Sequence, residues 1–228
     1  MSSSGDLVVA IDGPSASGKS TVSKLVAKDL GFTYVDSGSL YRGITWKALQ
    51  EHVDCKDSDA ILSMIAGMDL EFFEENQVVG FRIDGVNPGQ SIRADSVVER
   101  VSDIAAMPEV REFINEKLRS MVVFEQIVVE GRDIGSVVFP ESRFKFYLDA
   151  DPEERARRRH QETAKEKDPD ELRKVLDALQ RRDHKDTTRE TAPLQVPEGA
   201  NVVNTTTLGI DDVVAMIVRQ IRDVGVAP

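Results

Sequence analysis

The chain has 228 residues, 40% hydrophobic and 30% charged, with a formal net charge of -11. That balance fits one large globular domain, or one domain with a smaller excursion, and argues against disorder and against nonspecific nucleic-acid binding, which needs a basic face. The lone cysteine, Cys55, excludes an internal disulfide, and no apolar run is long enough to cross a bilayer.

The start, "MSSSGDLVVAIDG", lacks a basic and apolar signal segment, so a cytoplasmic location is expected, with residues 1–6 a disordered tail. Leu7 to Ile11 predicts a short strand, followed at once by "DGPSASGKST". From Lys19 onward, Val22, Leu25, Val26 and Leu30 recur at helical spacing, and Gly31 is a plausible stop. "FTYVD" reads as a second strand and "SGSLYRGITWKAL" as a second helix. Strand, loop and helix alternate, so the expected class is α/β, a parallel sheet wrapped by helices.

Between Lys56 and Arg93 the texture changes. "MDLEFFEE" and "VVGFRIDGV", joined by "EENQ", predict a small β-rich excursion. Two helices separated by Pro108 follow, the second with Val110, Phe113, Ile114, Leu118, Met121 and Val122 on one face. Ile127-Val129 and "FKFYLDA" resume the strands. "PEERARRRHQETAKEK" is helical in propensity with almost no apolar stripe, and a helix polar all round tends to be mobile. Leu172, Val175, Leu176 and Leu179 restore an amphipathic helix, "NVVNT" reads as a last strand, and a closing helix begins near Ile210. The expected organisation is a core of residues 7–55 and 94–228, with a lid at about 152–187 and the excursion at 56–93.

Gly13-Pro14-Ser15-Ala16-Ser17-Gly18-Lys19-Ser20 matches the G-x-x-x-x-G-K-[ST] phosphate-loop pattern in full. The glycines let backbone N–H groups converge on phosphate oxygens. Lys19 bridges the outer phosphates, Ser20 offers a hydroxyl to Mg²⁺, and the helix N-terminus adds a positive field. A structural glycine-rich turn is the bland alternative, but the motif follows a predicted strand and opens a predicted helix. The pattern marks a nucleoside triphosphate site without naming the acceptor. No N-K-x-D base-reading loop accompanies it, which counts against a guanine-specific switch.

Arginines cluster despite the acidic balance: Arg42, Arg132 next to Asp133, "RARRR" from Arg155, and "RRDHKDTTRETAPL" from Arg181 to Leu194. Arginine suits phosphoryl transfer because its fork binds phosphate bidentately and stays charged. Arg155, Arg158 and Arg159 also sit near glutamates at surface-pair spacing, so solvated decoration stays open for them. Arg132 and Asp133 lie just past a strand end, where open sheets bind ligands. Glu130 is open between a strand-ending surface glutamate and a carboxylate that holds Mg²⁺ waters.

Five stretches in order, "AIDGPSASGKSTVSKLVAKDLGFTYVDSGSLYRG", "VSDIAAMPEVR", "VVEGRDIGSVVFP", "KFYLDADPEERARRR" and "RRDHKDTTRETAPL", resemble the bacterial cytidylate kinase family. "EGRDIG-VVFP" and "RD-x-x-D-x-x-R-x-x-x-PL" are far more specific than the phosphate loop. The likeness spans essentially the whole chain, and residues 56–93 resemble the insertion that sets bacterial members apart from shorter nucleoside monophosphate kinases.

The resemblance implies ATP-dependent phosphorylation of CMP and dCMP with Mg²⁺ by a monomer that needs neither membrane nor nucleic acid. It implies ATP binding by Gly13 to Ser20 together with Thr21. Arg42, Arg132 and Arg189 would grip the acceptor phosphate, Ser102, Arg111 and Asp133 face the cytosine ring, and Arg182 and Asp186 address the ribose. Ser37 and Tyr41 complete the acceptor side, and Arg157 and Arg158 belong to the lid. Such an acceptor attacks through a phosphate oxygen that is already anionic, so His52, His160 and His184 are expected to be bystanders. Two rivals stand beside this reading: a kinase for another small acceptor such as UMP or shikimate, and a regulatory module that hydrolyses ATP slowly.

Overall fold

The structure, a computed structural model, describes residues 8–163 and 169–224, apart from the side chains of residues 163, 169 and 170. The expected tail, Leu7 and the part of the expected polar helix and lid at 164–168 lie outside the described residues. The strands are β1 (Val8–Asp12), β2 (Thr33–Asp36), β3 (Leu70–Glu75), β4 (Val78–Ile83), β5 (Ile127–Gly131), β6 (Phe144–Asp149) and β7 (Asn201–Asn204). The helices are α1 (Lys19–Leu30), α2 (Ser37–Gln50), α3 (Ser58–Gly67), α4 (Asp95–Ile104), α5 (Pro108–Ser120), α6 (Pro152–Thr163), α7 (Pro169–Thr188) and α8 (Ile210–Asp223).

The strands form one sheet in the order β3-β4-β2-β5-β1-β6-β7, with every pairing parallel except β3 with β4. β1 lies inside the sheet between β5 and β6, and all five of its residues are buried, as expected of a parallel strand covered on both faces. Strand side chains alternate, so β1 and β5 split the core in two. Val8, Ala10, Ile127 and Val129 face a layer built with α2, α3, α4 and α5. Val9, Ile11 and Val128 face the other layer, where Val22, Val26 and Leu30 of α1 meet Val213, Ile217 and Ile221 of α8. Burying one such aliphatic side chain contributes about 1.5–3 kcal/mol.

Gly31 ends α1 at φ 74°, and Phe32 N–H donates to Ala27 O at 2.8 Å, a backward bond that an αL glycine permits. Pro108 opens α5, where its missing N–H costs nothing. The face expected of α5 is buried through Val110, Ile114 and Leu118, but the helix stops at Ser120, and Met121 lies in a following 3₁₀ turn.

Residues 56–93 hold the expected hairpin, β3 paired with β4. The segment also contains α3, capped by Asp57, whose carboxylate accepts the Ala60 N–H at 3.0 Å, and Ile61, Met64 and Ile65 enter the main core. Its hairpin turns at Asn76 and Gln77, both left-handed, the geometry a two-residue loop demands. The hairpin is not detached: β4 pairs with β2 at Tyr34↔Val78 and extends the same sheet.

Candidate active site

β1 delivers its last residue, Asp12, to the carboxyl edge of the sheet, and the chain then curls through Gly13–Gly18 into α1. Gly13 has φ 152°, and a Cβ there would lie 2.1 Å from Leu148 O, so only glycine fits against β6. Lys19 folds back and donates from Nζ to Pro14 O at 2.9 Å. Burial, reinforced by the neighbouring Arg132, lowers its pKa to about 7. The loop curls around Lys19 as its motif requires.

Asp12 is fully buried, and its two carboxylate oxygens accept N–H bonds from Ile134 at 2.8 Å and Gly135 at 2.7 Å. Burial raises its pKa to about 7 against the opposing pull of those two bonds. The residue therefore ties the end of β1 to the π-type turn Ile134–Val138 that follows Arg132 and Asp133.

Glu130, inside β5, is buried and doubly held. Ser20 Oγ donates to its Oε2 at 2.9 Å and Tyr34 O–H to its Oε1 at 2.5 Å. Burial and the Glu130 charge push the Tyr34 phenol well above its usual range. Ser37 Oγ donates to the Glu130 backbone carbonyl at 2.6 Å, and Gly131 leaves no room for a Cβ against that hydroxyl. The two residues considered for Mg²⁺ from sequence are thus in direct contact.

A cleft of about 350 Å³ opens from the phosphate loop, through Ser15, Ala16, Gly18, Lys19, Ser20 and Thr21, toward α2, α4, β5 and α7. Among the described residues, eight cationic side chains line it against five acidic ones, in a chain of net charge -11. Asp36 caps α2, accepting Ser39 N–H at 3.0 Å, and pairs with Arg42 at 2.7 Å. Burial alone would raise its pKa, but Arg42 and Arg93 hold it below the usual carboxylate value. Arg132 Nε donates to Asp186 at 3.0 Å. Arg189, just past α7, lies 3.8 Å from Asp133 and 3.9 Å from Asp186. Burial and nearby Arg132 lower the Arg182 pKa to about 10.

Among the described residues, four guanidinium nitrogens that belong to cleft-lining side chains, Arg42 Nε, Arg111 Nε, Arg182 Nε and Arg189 Nη2, are buried without a hydrogen-bond partner. Buried donors are normally paired with protein, water or an ion, so these four point to the cleft as a place where polar groups are held ready.

Ser37, Tyr41, Arg42, Ser102, Arg111, Arg132, Asp133, Arg182, Asp186 and Arg189 all reach this one cleft. Of the loop residues, Gly13, Pro14 and Ser17 stay behind its surface. The α6 arginines separate. Arg157 is 62% exposed and pairs with Glu154, while Arg158 turns to the back of the phosphate loop, donating to Thr205 O at 2.6 Å. Arg159 and Glu162 are the α6 side chains that line the cleft. Asp12, Tyr34, Asp36, Arg93, Arg155, Arg159 and Glu162 were not assigned to the site from sequence. Asp36 alone had a readable signal, an aspartate directly before a helix.

A phosphate loop between a parallel strand and a helix, opening onto an arginine-lined cleft at the carboxyl edge of the sheet, defines a phosphate-loop phosphotransferase. Comparison with known proteins narrows the class. The family model for cytidylate kinase matches residues 9–223. The cytidylate kinase of Caldanaerobacter subterraneus subsp. tengcongensis is 40% identical over 214 residues, covering 94% of each chain. That of Lactiplantibacillus plantarum is 42% identical over 93% of each, and that of Rhodococcus jostii 42% over 97% of each. The chain belongs to the cytidylate kinase family.

Proposed function

We propose that this chain transfers the γ-phosphoryl group of ATP to CMP, and to dCMP, giving the diphosphate and ADP. The observation that carries the reading is one continuous cleft, with a phosphate loop at one end and a buried arginine–aspartate set at the other. The acceptor's phosphate oxygen attacks the γ-phosphorus, a new P–O bond forms, and the bond to the β–γ bridging oxygen breaks. ADP departs with that electron pair. No base is needed, because the attacking oxygen is already anionic.

The protein's task is placement and charge. Lys19 and the loop N–H groups hold the outer phosphates, and Arg42, Arg132 and Arg189 hold the acceptor phosphate on the attack line. Asp133, Ser102 and Arg111 read the ring, and Arg182 and Asp186 take the ribose. Arg157 and Arg158 belong to the segment that closes over the triphosphate, with Arg159 nearest the cleft.

The oxygen donors Ser20 Oγ and Glu130 suit Mg²⁺, a hard cation that keeps most of its shell as water and phosphate oxygens. They would hold it at the phosphates, Glu130 through water, and the ion would neutralise charge as the bond breaks. Among the described residues no cluster of three His, Cys, Asp or Glu side chains could replace that phosphate-dependent shell.

Release of ADP, measured with each nucleoside monophosphate in turn, tests the proposal. CMP should give the highest kcat/KM. Turnover indifferent to CMP would point instead to a slow regulatory ATPase, and preference for UMP to a different base-reading set.

A further inference from the structure

The acidic and basic residues of α6 conceal a buried arginine. Arg155 is only 5% exposed. Its Nε donates to Ala150 O at 3.0 Å, and its Nη1 donates both to Ser15 O at 3.2 Å and to Asp183 Oδ2 at 2.5 Å. Ser15 belongs to the phosphate loop and Asp183 to α7. Neither Arg155 nor Asp183 lines the cleft.

We infer that Arg155 and Asp183 are positioning residues that couple the phosphate loop to α7, so that a triphosphate in the loop tightens binding of the acceptor nucleotide. The inference rests on the functional reading above, because it takes the cleft-lining residues of α7 as acceptor contacts.

The geometry supplies the route. A trans peptide points its C=O and N–H in opposite directions, so fixing Ser15 O on Arg155 turns the Ala16 N–H the other way. Ala16 itself lines the cleft, at φ 60°. A phosphate that draws on this N–H therefore acts through the same peptide plane on Arg155. Arg155 passes the displacement to Asp183, and Asp183 sits beside Arg182 and one turn before Asp186 on the helix that carries both into the cleft.

Stability is a poor reason for such a pair. Burying two charges costs about as much as their attraction returns, and well-packed apolar residues often serve as well. The pair is also incompletely satisfied, since Asp183 Oδ1 is buried without a hydrogen-bond partner. A charged junction with one open acceptor, placed between two ligand-facing elements, is suited to more than one arrangement.

The measurement is the dissociation constant of CMP by calorimetry, without and with a saturating non-hydrolysable ATP analogue and Mg²⁺. The ratio of the two constants is the coupling, and coupling is reciprocal, so CMP must tighten the analogue by the same factor. The wild type should show a ratio of about fivefold or more, within the usual range for linked sites. Asp183→Asn and Arg155→Lys should each bring it close to one. The double variant should lose no more than either single one, and Asp183→Glu, which restores the charge, should recover part of it.

A merely structural role would weaken CMP and the analogue separately and leave the ratio intact, and that result overturns the inference. A wild-type ratio of one overturns it as well. Failure of the wild type to bind CMP at all removes the functional reading, and this inference with it, before any variant is made. Should Arg155→Lys fail to fold, the near-isosteric Asp183→Asn gives the same readout.

Discussion

Arg111 Nη2 donates to Asp133 Oδ2 at 2.5 Å, and both side chains are nearly sealed from solvent. Burial alone would lower the Arg111 pKa, but Tyr41 and Asp133 beside it hold it above the usual value. A second Arg111 nitrogen donates to Ala105 O at 3.0 Å, so the guanidinium is fixed from two sides. One Asp133 oxygen is thereby committed, and the other, 3.8 Å from Arg189, is the one a ligand can use.

That division of labour gives the first prediction. The free oxygen can accept a hydrogen bond from the cytosine amino group, where uracil presents a carbonyl. Sites built around a specific donor reject an analogue lacking it by up to ~10⁴. Asp133→Asn should lower kcat/KM for CMP and narrow the CMP-to-UMP ratio, measured at fixed ATP and Mg²⁺. Equal slowing of both substrates would leave Asp133 as a support for Arg111 only.

Lys19 carries the second. Its interaction with the outer phosphates grows in the transition state, so Lys19→Met should cut kcat by roughly 10³ or more. The same change should stabilise the unliganded fold. The Lys19 pKa is about 7 when folded against an ordinary 10.5, so below about pH 7 the folded state carries the full cost of a buried charge. Between there and pH 10.5 the unfolded state binds more protons, and wild-type stability rises with pH. The melting-temperature advantage of Lys19→Met should therefore be largest at pH 6 and shrink as pH climbs above about 7. An advantage that grew with pH would mean Lys19 is not a buried cation.

The contact between Ser20 and Glu130 supplies the third. Glu130→Gln keeps the size and removes the charge, and groups that orient a metal shell typically matter ~10–100-fold in metal affinity or activity. The variant should need correspondingly more Mg²⁺ for half-maximal rate and regain rate at high Mg²⁺. An unchanged Mg²⁺ profile would confine Glu130 to holding Ser20 and Tyr34.

Gly131 gives a prediction about stability. A Cβ there would lie 2.6 Å from Ser37 Oγ and 2.7 Å from Ile134, both buried. Gly131→Ala should cost ~1–3 kcal/mol by overpacking, read from denaturant unfolding. It should also displace Arg132, so kcat/KM falls further than the unfolded fraction explains.

Much of this was legible in the residues. The phosphate loop is local chemistry, and its pattern specifies both the turn and the helix that follows. Buried parallel strands such as Val8–Asp12 announce themselves as short apolar runs. The acceptor-side residues were named through family resemblance rather than spacing. Asp12 and Arg155 were not legible at all. Asp12 grips Ile134 and Gly135 across more than a hundred residues of chain, and Arg155 lies in a helix whose composition reads as solvated. α3 was missed because its ten residues sit among turn formers that drew attention to strands.

The strand order also bears on how the molecule is made. β1 emerges first from the ribosome, yet its partners are β5 and β6, more than a hundred residues downstream. Until synthesis passes about residue 127, Val8 to Ile11 have no backbone to pair with, and the clamp on Asp12 has nothing to hold. Pairings so distant in sequence form slowly, and unpaired apolar strands invite association with other nascent chains. A truncated transcript ending before β5 should therefore yield a chain that depends on chaperones, with its nucleotide loop encoded but unformed.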